Sequence, residues 1–384
     1  MGNGGDFTEK KIDLREINKK NKRKKLMIRA AVAVLIITAV VLVAVNWEKI
    51  IAPFRDAAIN TGEGGFPISL PGSASYVLDS LGTNFYLLTD TYIYTYNADG
   101  AQIAGIQHGF QNPSVTSGEK RALVFDKNGK GFKVYSRTAE VFSKTLDDTI
   151  VFAKMGKNDH SAVVTTASRY SNYLCVFNDE GKQVFRYASP TEKIMQVCFS
   201  DNENFVYISV VGEKDGELES AVLCFDITKE QNAVWREYIG NALTYSLEYC
   251  GDGIYGTTEQ GMFLLNSSSG KMTAQSSFSQ SVSGICKTDG TRVVFFRDTA
   301  FNGDTAVAYD SRLASANTKS FDSVSSFDIS KGILYVLSKN KLYAYSDMLK
   351  SERVYELDDD YSSVKIIGGY AYFLGYNSVQ RIAL

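Results

Sequence analysis

The sequence predicts an all-β domain, an eight-bladed β-propeller, preceded by a single transmembrane helix. Three observations predict it: an apolar run with basic residues on one side only, strand phrases that recur about every forty residues, and a last repeat that stops one strand short. We therefore divide the chain into a basic cytoplasmic tail (1–25), a transmembrane helix (26–47), a stalk (48–65) and the propeller (66–384).

The apolar run, residues 30–45, reads AAVAVLIITAVVLVAV and contains one polar residue, Thr38. With Leu26 to Ile28 before it and Trp47 after it, the span reaches about twenty residues, enough to cross a hydrocarbon core of roughly 30 Å. Ten of residues 10–29 are Lys or Arg, so the positive-inside rule predicts a cytoplasmic N-terminus and an exported C-terminal part. The alternative is a cleaved signal peptide, but the basic segment is long for one and no A-x-A site follows.

The formal net charge of −2 conceals a strong asymmetry. Residues 1–55 contain 12 basic and 5 acidic residues, which leaves 29 of the 41 basic and 38 of the 43 acidic residues to the remainder. A domain this acidic repels phosphate backbones, so we expect no nucleic-acid partner. The basic tail should instead be attracted to anionic lipid, and the bilayer is the first partner that the sequence predicts.

Beyond residue 66, short runs of β-branched and aromatic residues alternate with Gly, Asn, Asp and Ser turns, which is typical of antiparallel strands. One phrase, a strand that ends in a polar turn residue, recurs at intervals of 36 to 48 residues, and a truncated eighth copy, VQRIAL, ends the chain. A second phrase, a polar turn followed by an alternating strand, occurs eight times. The turn residues of the first phrase are Asn97, Ser136, Asn178, Asp226, Asn266, Asp310 and Ser346.

Four strands in a unit of about forty residues is the period of a propeller blade, and residues 66–384 accommodate eight such units. The last unit supplies only three strands. We predict that Phe66 to Pro71 pairs with the C-terminal strand, Val379 to Leu384, and closes the ring as the outer strand of the last blade. A seven-bladed ring with the final three strands packed elsewhere is the alternative.

The repeated phrases, FSDNENFVYISV above all, resemble those of bacterial propellers in the WD40-like and quinoprotein-like families. The whole chain resembles an uncharacterised family of envelope proteins from Gram-positive anaerobes, with one N-terminal helix and a propeller outside the membrane. That resemblance implies a location and a fold, and it implies no reaction.

Residues with catalytic or metal-binding chemistry are sparse. There are two His, His108 and His160, and no CxxC pair, so we predict no metal site, no cofactor and no catalytic set. The five Cys lie in apolar, strand-like stretches and are interpreted as free core thiols. We place Cys198, Cys250 and Cys286 on the innermost strands of blades 4, 5 and 6.

Candidate binding residues come from the hairpins between the second and third strands of a blade. These hairpins are longest in blades 3 (166–172), 4 (212–220) and 6 (297–304), and long loops on one rim are where binding residues usually lie. The candidates combine charge with aromatic area, as interface anchors do, although tolerated insertions explain them equally well. They are Arg169, Tyr170, Arg297 and Phe301.

These features predict a membrane-anchored, extracytoplasmic binding scaffold for a protein or a cell-envelope polymer. The alternative is an envelope hydrolase or lyase with a carboxylate-based site in the propeller channel. Converging carboxylates in the channel would favour the enzyme, and a plugged or featureless channel would favour the scaffold.

Overall fold

A computed structural model describes residues 25, 27–38, 40 and 64–384, with the exception of 230, 231, 252, 289, 290 and 299–302. The chain divides into two compact units, residues 1–60 and 61–384.

In the first unit, residues 25, 27–38 and 40 are helical. Among the residues described there, no helix has both the length and the apolar character needed to cross a bilayer. Residues 26, 39 and 41–47 of the predicted transmembrane segment lie outside the described residues.

The second unit is an all-β, eight-bladed propeller, as predicted. Its strands form eight four-stranded antiparallel sheets, and seven of these contain four strands that are consecutive in the chain. Neighbouring sheets contact one another around the ring, and the innermost strand of the first blade contacts that of the last. The turn residues of the repeated phrase therefore do mark one blade each.

Blades 1 and 2 consist of β2 (Val77–Leu81), β3 (Asn84–Leu88), β4 (Tyr92–Tyr96), β5 (Gln102–Gln107), β6 (Pro113–Ser117), β7 (Ala122–Asp126), β8 (Gly131–Tyr135) and β9 (Glu140–Thr145). Blades 3 and 4 consist of β10 (Ile150–Met155), β11 (Ser161–Thr165), β12 (Asn172–Phe177), β13 (Gln183–Ser189), β14 (Lys193–Phe199), β15 (Phe205–Lys214), β16 (Glu217–Asp226) and β17 (Trp235–Gly240). Blades 5 and 6 consist of β18 (Thr244–Cys250), β19 (Gly253–Thr258), β20 (Gly261–Asn266), β21 (Met272–Ser277), β22 (Val282–Thr288), β23 (Thr291–Asp298), β24 (Gly303–Tyr309) and β25 (Ser315–Phe321). Blades 7 and 8 consist of β26 (Ser326–Ser330), β27 (Ile333–Ser338), β28 (Lys341–Ser346), β29 (Ser351–Glu356), β30 (Ser363–Ile367), β31 (Tyr370–Leu374), β32 (Ser378–Ala383) and β1 (Ile68–Ser69).

The last blade combines both ends of the propeller, in the order β1-β32-β31-β30. Ile68 lies opposite Val379 and Ser69 opposite Ser378 in an antiparallel pair. The predicted closure is confirmed, although the paired part of the segment is two residues long. Phe66, Ile68 and Leu70 all pack against the core between blades 8 and 1.

The core lies between neighbouring blades, because each sheet buries its apolar residues against the next. Phe295 of blade 6 stacks on Phe327 of blade 7, with ring centroids 4.5 Å apart and an interplanar angle of 13°. All five cysteines are free, and Cys198, Cys250 and Cys286 lie on the innermost strands β14, β18 and β22, as predicted. Buried free cysteine thus behaves here as a small apolar residue.

The hairpin of blade 4 differs from the long loop that the sequence predicted. Strands β15 and β16 pair without interruption from Phe205↔Asp226 to Lys214↔Glu217, so the segment 212–220 is mostly β-ribbon. The turn is reduced to Asp215 and Gly216, whose φ angles are +56° and +86°. Asp-Gly favours this tight two-residue turn, which extends the strands where a flexible loop was expected.

Candidate functional site

The two faces of the ring are named by their turns. The bc face carries the turns between second and third strands together with the connections between blades, and the ab face carries the turns between first and second strands. All four predicted binding residues were assigned to the bc face.

The structure places Arg169 and Tyr170 in the bc turn of blade 3, where both are exposed. The Tyr170 ring contacts that of Tyr173, with centroids 5.6 Å apart. Arg297 lies at the end of β23 on the bc face of blade 6. Two blades, 4 and 5, separate it from Tyr170. Phe301 lies outside the described residues. The predicted residues thus occupy separate positions along one arc of the face.

The side chain of Arg297 forms an ion pair that the sequence did not reveal. It lies opposite Asp304 in the β23–β24 pair, and its Nε is 3.5 Å from Oδ1 of that carboxylate. The arginine side chain remains 62% exposed and borders a mainly polar cleft of about 680 Å³. Gln260 and Phe278 line the same cleft, so Arg297 belongs to a recess between blades 5 and 6.

The arc between these residues contains exposed tyrosines that sequence reasoning missed. Tyr238, near the end of β17, is 51% exposed, and Tyr245, near the start of β18, is 48% exposed. With Tyr170 at 44%, they give blades 3, 4 and 5 one exposed tyrosine each on the bc face. Of the other tyrosines described, only Tyr376, in the bc turn of blade 8, is comparably exposed, at 92%. We call Tyr170, Tyr238 and Tyr245 the tyrosine arc.

The central channel is lined on five consecutive innermost strands by side chains of alternating charge. Lys287 Nζ lies 3.1 Å from Oε2 of Glu248 in the neighbouring blade. Lys365 Nζ lies 3.2 Å from Oδ1 of Asp328 on one side and 2.8 Å from Oδ1 of Asp79 on the other. We call these five residues the charge belt. Each carboxylate in it has a lysine partner, so the channel is neither featureless nor lined by converging carboxylates alone.

Burial and charge shift the pKa values of the belt in different directions. Burial opposes the ionisation of Asp79, but Lys365 and hydrogen bonds from Ser80 and Ser117 outweigh it and hold the pKa of that carboxyl below its usual value. At Asp328 burial outweighs Lys365, and the pKa is raised. Burial also works against the charge of Lys365, yet Asp328 and Asp79 raise its pKa. Three of the five belt residues are therefore coupled, because Asp79 and Asp328 share Lys365.

Among the residues that the structure describes, no three or more His, Cys, Asp or Glu side chains are grouped to hold a metal ion. His160 is used structurally: its Nδ1 lies 2.7 Å from Oε2 of Glu203.

The propeller domain matches the model of one protein family. The model of a family of unknown function, DUF5711, matches residues 68–384. This chain belongs to that family. The DUF5711 match begins at Ile68, the first residue of β1, and therefore includes the closing strand with all eight blades.

Solved structures resemble this DUF5711 chain in fold. The C-terminal WD40 domain of Sif2 has a TM-score of 0.61 at 12% identity, covering 84% of this chain and 99% of that one. Sqt1 from Saccharomyces cerevisiae has a TM-score of 0.60 at 9% identity, covering 85% and 100%. BamB from Moraxella catarrhalis has a TM-score of 0.55 at 11% identity, covering 83% and 100%. At these identities the likeness shows the propeller fold alone. No curated protein matches the sequence.

Proposed function

We propose that this chain is a membrane-anchored, extracytoplasmic scaffold that binds a protein or a cell-envelope polymer on the bc face of its propeller. The observation that supports this most strongly is the tyrosine arc on blades 3, 4 and 5. The propeller fold, typically a protein-interaction scaffold, suits this role.

Tyrosine is the side chain that best suits such a surface. It offers a rigid apolar ring and a hydroxyl group with little conformational entropy to lose, and it is enriched at the centres of interfaces. The chain has 23 tyrosines, and the described ones are mostly buried or half-buried. Exposure on three consecutive blades of one face therefore supports the proposal that this face is a contact surface.

Two neighbouring features enlarge the surface. The ribbon of blade 4 extends between Tyr170 and Tyr245, and its rigid turn is held by a 2.6 Å hydrogen bond from the Gly216 N–H to Oε1 of Glu213. The cleft beside Arg297 continues the arc into blade 6. Charged and polar groups around an aromatic centre are the usual anatomy of a binding site.

Membrane anchoring through residues 26–47 is the second part of the proposal. The described apolar side chains of this segment are exposed in succession, from Val34 at 64% and Leu35 at 71% to Ile36 at 57% and Ile37 at 62%. Four consecutive residues cover every side of a helix, which is the pattern of a segment surrounded by lipid. The hydroxyl of Thr38, the polar residue of the run, donates to the Val34 carbonyl oxygen at 2.9 Å. The bilayer would therefore meet no unpaired hydroxyl there.

The binding surface is tested by photocrosslinking in living cells. A photoreactive phenylalanine analogue at 170, 238 or 245 should give adducts of one size. Control positions with exposed apolar residues on other blades, Val141 and Val354, should give none of that size. Equal adducts at arc and control positions, or none at the arc, would contradict the proposal.

The topology is tested separately with protease added to intact, wall-stripped cells. We expect digestion of residues after Trp47 and protection of the basic tail. A fully protected propeller would refute the extracytoplasmic location without bearing on the binding face.

A further inference from the structure

A second recess lies on the opposite face of the ring, at the ab mouth of the channel. It is a cavity of about 520 Å³ whose walls include Lys157, Cys250, Lys287, Arg292 and Lys331. This volume lies in the range of small-ligand sites. The lining contains four cationic side chains and one carboxylate, that of Asp201, within a propeller that is acidic as a whole.

Arg292 is the unusual member of this set. It is 5% exposed, and among the described residues no carboxylate forms an ion pair with it. The guanidinium donates to the Thr291 carbonyl oxygen at 3.3 Å and to Sγ of Cys250 at 3.0 Å. Its Nε has no hydrogen-bond partner in the described part of the chain. A buried charge without a counter-ion is costly, so such a group is normally paired.

The ring of Tyr255 compensates part of that cost. The guanidinium carbon lies 3.7 Å from the ring centroid, and this cation–π contact also fixes the plane of the guanidinium group. Arg292 is thereby held in one orientation at the wall of the cavity. A preorganised guanidinium is the protein group best matched to a carboxylate or phosphate, which it can bind through two parallel hydrogen bonds.

The other lysines differ in how free they are. Lys157 is 2.8 Å from Asp201 and Lys287 is 3.1 Å from Glu248, so both charges are already balanced. Lys331 lies in the ab turn of blade 7, is exposed, and forms no ion pair with any other described residue. Of the cations that line this cavity, Lys331 and Arg292 are thus the two that lack a carboxylate partner in the described structure.

We propose that this cavity is a binding site for a small oxyanion-bearing ligand, with Arg292 as the buried anchor and Lys331 as the cation at the entrance. The ligand class is a compound with a terminal phosphate or carboxylate group, since both present the paired oxygens that a guanidinium recognises. The site lies on the opposite face from the tyrosine arc and is independent of the partner proposed there.

Cys250 supplies a built-in reporter of occupancy. It lines the cavity and is half-buried, whereas the other four cysteines are buried. Alkylation of the full-length protein by uncharged iodoacetamide, followed by intact mass, should therefore report on this site with the other four thiols as internal controls. We expect saturating inorganic phosphate or citrate, at constant ionic strength, to slow Cys250 alkylation about fivefold or more.

Two variants and one control sharpen the test. Arg292→Gln should abolish protection, and Lys331→Gln should raise the half-protecting concentration about three- to tenfold. Lys339→Gln is the matched control: Lys331 and Lys339 both lie in turns of blade 7, with φ angles of +49° and +52°, but on opposite faces. If Arg292→Gln does not fold, the comparison of Lys331→Gln with Lys339→Gln decides alone.

The outcomes separate the ligand sources. Protection by phosphate alone indicates a phosphate ester, and protection by citrate alone indicates a carboxylate. Absence of protection by both anions overturns the proposal. So does protection by calcium chloride in their place, which would indicate a cation site. Equal weakening by Lys331→Gln and Lys339→Gln also overturns it.

Discussion

Ile68 lies directly opposite Val379 in the pairing of β1 with β32, so residues from the two ends of the propeller share one sheet. Phe66, two residues before Ile68, extends this contact. Its ring centroid is 5.8 Å from that of Tyr372, and the guanidinium carbon of Arg381 lies 4.8 Å from it. The last blade is therefore completed by a strand that precedes the first.

Deletion of residues 66–71 tests this closure. It removes the partner of β32 and the three side chains that pack between blades 8 and 1, so we expect the melting temperature to fall by about 5–10 °C and aggregation to increase. A six-residue deletion in the stalk, residues 54–59, is the length-matched control and should leave the melting temperature unchanged. Equal melting temperatures for the two deletions would show that β1 does not close the ring.

Glu203, in blade 4, connects blades 3 and 4 through hydrogen bonds. Its carboxylate, 1% exposed, accepts hydrogen bonds from the N–H groups of Asn158 at 2.6 Å and His160 at 3.0 Å. Glu203→Ala removes the buried acceptor of these two N–H groups and should lower the free energy of unfolding by about 1–3 kcal/mol in urea titrations. Asp201→Ala, in the same turn, removes an exposed ion pair with Lys157 and should change it little. A similar loss in both variants would contradict the assigned role of Glu203.

Much of this architecture could be predicted from the sequence. The number of blades and the closing strand both follow from the spacing of the repeated strand phrases, which is visible in a single sequence. Contacts between blades could not. Asp79 and Lys365 are remote in sequence, and no local pattern reveals that they meet in the channel. Tyr238 and Tyr245 were missed for a related reason: they lie in strands, where alternation cannot distinguish a tyrosine near the end of a blade from one in the core. Arg297 was found, but its partner Asp304 became apparent only once the hairpin register was known.

Lys365 should be the critical residue of the charge belt. Lys365→Met leaves Asp79 and Asp328 without their shared cation, and we expect the free energy of unfolding at pH 7 to fall by about 3 kcal/mol. Without the lysine, the lowered pKa of Asp79 should rise and the already raised pKa of Asp328 should rise further, so the native state of the variant binds protons more tightly. The difference from wild type should therefore shrink as the pH falls from 7 to 5.

The control for that experiment is Lys341→Met, which removes the exposed ion pair with Glu356 and should have little effect at either pH. A deficit for Lys365→Met that is the same at pH 7 and pH 5 would mean that lost packing, and not unpaired carboxylates, causes the destabilisation.

The five thiols should differ sharply in reactivity. Burial raises the pKa of Cys224 to about 12, and it also raises those of Cys175, Cys198 and Cys286. Native protein should therefore incorporate one iodoacetamide label, at Cys250, and urea-unfolded protein should incorporate five. Intact mass should be identical with and without reductant. A mass two daltons lower without reductant would reveal a disulfide and contradict the free-thiol assignment.

The central claim, that the tyrosine arc is the binding surface, is tested most directly by quantitative affinity capture from crosslinked cells. Three chains are compared: wild type, the triple variant Tyr170→Ser/Tyr238→Ser/Tyr245→Ser, and the control Val141→Ser/Val354→Ser, whose side chains are exposed on blades 2 and 7. We predict that the component crosslinked at positions 170, 238 and 245 is recovered equally by wild type and control, and at least about tenfold less by the tyrosine variant. Undiminished recovery by a folded tyrosine variant would contradict the account.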